Sequence, residues 1–162
     1  MTLGELCSEI VVVVAPDTDG PDLPEEVVAP VLVIRDPEPY GGPLVGLAAA
    51  LTEADTPLAL VVGADMPDLV PEVLVELILT ASEEGTTASA LAEGDGFRPL
   101  PCVVRTARAE DLSRALLERG EGSLRGLLEA SDVKVVAEES WRALDPGGAT
   151  LRDIDRPEDL DA

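Results

Sequence analysis

The sequence predicts an α/β domain built in three layers around a doubly wound, mostly parallel sheet. Two observations carry that prediction. Short β-branched runs recur along the chain, and the segments between them repeat their leucines at helical spacing. Near-continuous apolar runs suit strands buried on both faces, and strands that alternate with helices imply right-handed crossovers and a parallel sheet covered on both sides. At 162 residues the chain is long enough to bury a substantial core.

The elements follow in order. "IVVVVA" (10–15) and "VLVIRD" (31–36) read as strands, separated by the turn-rich "APDTDGPDLPEE". After the loop "DPEPYGGP", Leu44, Leu47, Ala48 and Leu51 form the apolar stripe of a helix. "LALVVGAD" (58–65) is a third strand, and Val73, Leu74, Leu77 and Ile78 mark a helix opening at Pro71, a residue suited to the first helical position. "PCVV" (101–104) and "VKVVAE" (133–138) complete the strands. Between them Leu112, Leu116 and Leu117, then Leu124, Leu127 and Leu128, give two more helical stripes.

Composition excludes several function classes. With 33 acids against 11 basic residues the net charge is −22, a surface that repels phosphodiester backbones and anionic lipid, so neither nucleic acid nor membrane is an expected partner. The acids are scattered among apolar segments and need no explanation beyond a solvated surface. Histidine is absent, which removes Ser-His chemistry and histidine metal ligation. Cys7 and Cys102 sit in apolar contexts, as reduced core cysteines do. No apolar run approaches the length of a membrane span, and "MTLGELCSEI" has no export signature, so the expected location is the cytoplasm.

In doubly wound sheets ligands bind beyond the carboxyl ends of the strands. That rule selects Asp36 and Asp65, which end two of the runs. Held at a strand end by an apolar run, with Pro67 and Pro71 stiffening the chain beyond it, the Asp65 carboxylate could take Mg²⁺, a hard ion that favours oxygen ligands. A turn or helix-capping acid is the alternative, although Asp65 lies too far from Pro71 to cap that helix. "YGGPLVGL" sets Gly41, Gly42 and Pro43 before a helix starting near Leu44, where backbone N–H groups could approach a ligand; a plain loop-to-helix turn would look the same. "LRDIDRPEDL" supplies Asp153 and Asp155, and Asp155 either begins a capping box with Glu158 or faces the metal as a second ligand. Arg98 in "GFRPLPCVV" is the cation best placed to meet an anionic group, although a loop arginine with no ligand is the commoner case.

Taken in order, "IRDPEPYGGPLVGLAAAL", "LVVGADMPDLVPEVL", "FRPLPCVVR", "RGEGSLRGLLE" and "LRDIDRPEDL" resemble the molybdenum cofactor guanylyltransferase family, within the nucleotide-diphospho-sugar transferase-like, Rossmann-like fold group. The resemblance implies transfer of GMP from GTP to molybdopterin, with Mg²⁺ as cofactor and release of pyrophosphate. It implies that Asp65 is the catalytic metal ligand facing the GTP phosphates, and that Asp36 contacts the nucleotide. Gly42, Pro43 and Leu44 match the loop beside the nucleotide, and Arg98 and Pro99 fall on the pterin side. Asp153 and Asp155 stand where the family usually has asparagines and related cytidylyltransferases have acids, which leaves GTP against CTP open. Molybdoenzymes or cofactor-pathway proteins are the macromolecular partners the resemblance suggests.

The family opens on a strand and a glycine-rich loop carrying an arginine and a lysine. Here "TLGELCSE" reads as the end of the helix that follows that loop, and the only lysine is Lys134. The expectation is therefore a single nucleotidyltransferase-like domain over 1–162, truncated at its N-terminus and missing the first strand and loop. That strand belongs at the sheet centre, so its lack would leave unpaired strand edges. Two further readings follow: a non-catalytic nucleotide-binding or interaction module of the same fold, and a relative acting on CTP or a sugar phosphate.

Overall fold

The structure is a computed structural model that describes residues 3–18, 20–22, 27–38 and 41–154. The chain forms two compact units, Met1–Ala59 with Arg105–Ser131, and Leu60–Val104 with Asp132–Ala162.

The first unit opens on a single helical turn, α1 (Leu3–Leu6), where "TLGELCSE" reads as a helix end. Strands β1 (Ile10–Val14) and β2 (Val31–Arg35) pair in parallel, from Ile10 opposite Val31 to Val14 opposite Arg35. The ladder is continued by the Ile10 N–H to Pro30 C=O and the Asp36 N–H to Val14 C=O, at 2.9 and 2.8 Å. Helix α2 (Pro43–Glu53) packs on both strands and buries Leu44, Leu47 and Leu51 of the predicted stripe together with Val45 and Gly46, while Ala48 is half-buried. Helices α4 (Thr106–Leu117) and α5 (Leu124–Glu129) pack against α2. Leu124, Leu127 and Leu128 are buried as their spacing predicts. In α4 the buried residues are instead Thr106, Ala109 and Ser113, because small side chains let it approach α2 closely and leave its leucines half-buried.

Strand β3 (Leu58–Val61) passes from the first unit into the second, where the sheet order is β3-β5-β4-β6. Its neighbours are β4 (Ala88–Glu93), β5 (Gly96–Arg105) and β6 (Val133–Val136). Strands β4 and β6 are parallel, but β4 and β5 form an antiparallel pair with a register shift between Ala90 and Leu91. Helix α3 (Pro71–Ser82) opens on Pro71 as expected and buries Val73, Leu74, Leu77 and Ala81 against β4 and β6. The residues of β4 from Ala88 to Leu91 are buried, and the Ser89 hydroxyl donates to Leu77 C=O of α3 at 2.7 Å. Helix α6 (Glu138–Leu144) brings the fully buried Trp141 over β4, where its indole N–H donates to Ala92 C=O at 2.9 Å.

The α/β class is as expected, and so are unpaired strand edges: among the described residues β1 and β2 pair only with each other, and β3 is an edge strand of the other sheet. Two expectations are corrected. The "PCVV" strand extends from Gly96 to Arg105 as one arm of an antiparallel hairpin. Strand β3 ends at Val61, so Asp65 lies in the turn beyond it, where the Met66 N–H closes on Gly63 C=O.

Candidate active site

In the first unit, Asp36 follows β2 directly and is half-buried. Its Oδ1 accepts from the Glu38 N–H at 3.0 Å, turning the chain away from the strand. A Cβ on Gly46 of α2 would stand 3.3 Å from Val13 Cγ1 and in ordinary contact, 3.6 Å, with Asp36 Oδ2. Gly42 is the N-cap of α2 at φ +89°, with Pro43 in the first turn. A Cβ on Gly42 would collide with Gly122 C=O, and one on Gly122 would collide with Gly41 C=O. Leu44 is fully buried, and its N–H donates to Gly122 C=O at 3.0 Å. The two loops thus interlock through backbone, and this close approach accounts for Gly42, whereas a Cβ on Gly41 would meet the Val45 side chain. Gly122 belongs to "RGEGSLRGLLE", where Ser123 caps α5 by accepting the Gly126 N–H at 3.0 Å. Glu121 accepts the Ser123 N–H, and its bonds to Ser123 hold that carboxyl below its usual range.

In the second unit, Asp65 is exposed and its carboxylate makes no hydrogen bond or ion pair among the described residues. It is not a helix cap: α3 is capped by the backbone of Val70, without a side-chain bond. A Cβ on Gly63 would overlap Asp65 Oδ1, so Gly63 leaves the space in which this carboxylate lies. Met66, beside it, is buried and anchors the turn to the core. The Asp65 C=O accepts from the Ile154 N–H at 2.8 Å, and Asp68 forms an ion pair with Arg152.

Arg98 is committed to the same segment. Its guanidinium donates to Leu151 C=O at 3.1 Å and lies 3.7 Å from Asp153 and 3.8 Å from Glu93. Pro99 is half-buried within β5. Structure thus groups Asp36 with Gly42, Pro43 and Leu44 in one unit, and Asp65 with Arg98 and Pro99 in the other. Asp155 lies outside the described residues.

For a metal, the donor set is sparse and hard. Among the described residues no three acids or cysteines gather closely enough to enclose an ion. A single exposed carboxylate still fits Mg²⁺, which keeps several waters and takes its remaining ligands from substrate phosphates. The thiols offer nothing: burial raises the pKa of Cys102 to about 12 and also raises that of Cys7.

Two residues escape a sequence reading. Thr150 is fully buried and its Oγ1 accepts the Val70 N–H at 3.1 Å; Asp145, 4% exposed, accepts the N–H groups of Ala149 and Thr150 at 3.0 and 2.8 Å. Burial acts to raise the Asp145 pKa, but the bonds from Thr150, Ala149 and Gly148 together outweigh it and hold the carboxyl below its ordinary value. The only signal in the sequence is an acid ahead of "PGGATL", which reads as an ordinary turn.

The probable molybdenum cofactor guanylyltransferase of Chloroflexus aggregans is 32% identical, over 98% of this chain and 73% of its own length. Its counterpart in Mycobacterium avium is 34% identical over 83% of this chain, and the match spans 66% of that protein. Molybdopterin-guanine dinucleotide biosynthesis protein A of Archaeoglobus fulgidus superposes with a TM-score of 0.67 at 26% identity, over 80% of this chain and 65% of that one. The fold alone is shared with 2-C-methyl-D-erythritol 4-phosphate cytidylyltransferase of Thermus thermophilus, TM-score 0.65 at 19% identity, over 94% of this chain and 79% of that one. Residues 1–139 match the profile of the MobA-like NTP transferase domain, and the chain belongs to that family.

Proposed function

We propose that this protein transfers GMP from GTP to molybdopterin, giving the guanine dinucleotide form of the cofactor and pyrophosphate, in the cytoplasm. The observation that carries the reading is Asp65: an exposed carboxylate in the turn after β3, neither capping α3 nor paired with a cation among the described residues. In the reaction a phosphate oxygen of the pterin substrate bonds to the α-phosphorus of GTP, and the bond from that phosphorus to the bridging oxygen of pyrophosphate breaks. The nucleophile is already an anion and needs no general base, which suits a chain without histidine. What remains is alignment and charge neutralisation.

Asp65 would hold Mg²⁺, which when bound neutralises charge on the phosphates. Asp36 would contact the nucleotide, with Gly42, Pro43 and Leu44 forming the wall beside it. Arg98 and Pro99 would border the pterin. No helix among the described residues is long and apolar enough to cross a membrane.

The test is pyrophosphate release by the protein with GTP, Mg²⁺ and molybdopterin. Asp65→Ala is expected to lower the rate by about 100-fold or more, the scale of losing a charge-stabilising contact, with an unchanged circular dichroism spectrum. Turnover at the parental rate in that variant would remove Asp65 from the mechanism. Competition by CTP against GTP reads the nucleotide preference.

A further inference from the structure

The turn that presents Asp65 is only as well defined as what holds its two ends. Its start is fixed by the Ile154 N–H on Asp65 C=O. Its far end is fixed through Thr150. The Val70 N–H, at the N-cap of α3, donates to Thr150 Oγ1 at 3.1 Å, and the Thr150 backbone N–H donates to the Asp145 carboxylate at 2.8 Å. Asp145 is itself held by the Ala149 and Thr150 N–H groups, and the Gly148 N–H closes on its C=O at 3.0 Å. Thr150 and Asp145 are almost wholly enclosed, at 0% and 4% exposure, so water does not replace a lost partner at either.

We propose that Thr150 and Asp145 are positioning residues for the Asp65 turn, fixing the backbone from Asp65 to Val70 so that the carboxylate meets a divalent cation bound with a nucleoside triphosphate. The inference rests on the reading of Asp65 as the metal ligand. Neither residue touches the substrate; each acts through the Val70 amide.

Two substitutions at one position separate positioning from stability. Thr150→Val keeps the shape of the side chain and removes the acceptor for Val70, whereas Thr150→Ser keeps the hydroxyl. Mn²⁺ binding to the protein in the presence of GTP, followed by electron paramagnetic resonance, is expected to weaken about tenfold in Thr150→Val, the equivalent of one lost hydrogen bond, and to stay within about twofold in Thr150→Ser. Hydrogen exchange at the Val70 amide is expected to quicken about tenfold in the valine variant and to be unchanged in the serine variant. If Thr150→Val does not fold, Asp145→Asn takes its place; it retains the volume but presents one acceptor oxygen where two are used.

Asp65→Asn is the control for the underlying reading. It is expected to abolish Mn²⁺ binding while leaving Val70 exchange as in the parent. Parental Mn²⁺ affinity in Asp65→Asn would overturn the metal reading and the inference with it. Loss of binding in Asp65→Asn together with parental affinity in folded Thr150→Val or Asp145→Asn would overturn the inference alone.

Discussion

In the loop after β2 glycine backbones lock directly against one another, whereas the turn after β3 is held by a buried hydroxyl and a buried carboxylate. Gly42 and Gly122 leave no room for a Cβ on either side, and the Leu44 N–H donates to Gly122 C=O across them. At the other loop the bracing atoms belong to Thr150 and Asp145, side chains far along the chain from the turn they support. The difference sets what each loop responds to. A backbone interlock fails by steric insult and is indifferent to pH; a carboxylate relay tolerates small changes in bulk and fails when it is neutralised or loses a donor.

The comparison breaks most severely at Gly42. Gly42→Ala combines strain at φ +89° with a collision against backbone that cannot rotate away, and is expected to cost about 2–4 kcal/mol in urea unfolding. An alanine at Gly122 meets Gly41 C=O in the same manner, so pairing the two substitutions should give no rescue. Next in size is Asp145→Asn, expected to cost about 2–3 kcal/mol at neutral pH through donors left facing an amide. The folded-state pKa of Asp145 is depressed, so its contribution is fully present above the unfolded carboxyl pKa of about 3.9 and is lost as pH falls through the lower folded value. The gap in melting temperature between parent and Asp145→Asn should therefore narrow below about pH 4, while the gap between parent and Gly42→Ala should not. Smallest is Arg98→Ala: with Arg98 32% exposed and its partners Glu93 and Asp153 48% and 55% exposed, screened pairs of this kind are worth about 1 kcal/mol or less. A larger loss there would mean that Arg98 braces the Asp65 segment through Leu151.

The elements legible in the sequence are those whose physics is local. Helices α2, α3 and α5 follow from leucine spacing and, for α2 and α3, from Pro43 and Pro71 in their first turns. Strand β4 is not legible, because "ASALAE" carries no β-branched residue. Its small side chains are selected by burial between β5 and β6 and under α3, a tertiary condition. The end of β3 is overestimated for a related reason: apolar character continues through Val62, but Gly63 starts a turn that hydropathy does not register. At the site, the acids and glycines stand out as residue types. Their supports do not, since Thr150, Asp145 and Gly122 act across long stretches of sequence and look like ordinary turn residues one at a time.

Strand β1 has one neighbour among the described residues, and all five of its side chains, Ile10 to Val14, are β-branched and half-buried. A strand edge of that composition, wherever no neighbour covers it, is a template for a second chain. The opposing force is colloidal. A net charge of −22 makes each molecule repel its like, over a range set by a screening length of about 8 Å at physiological salt. The acid excess that disfavours nucleic acid thus also keeps neighbouring copies apart, and adding salt weakens that repulsion.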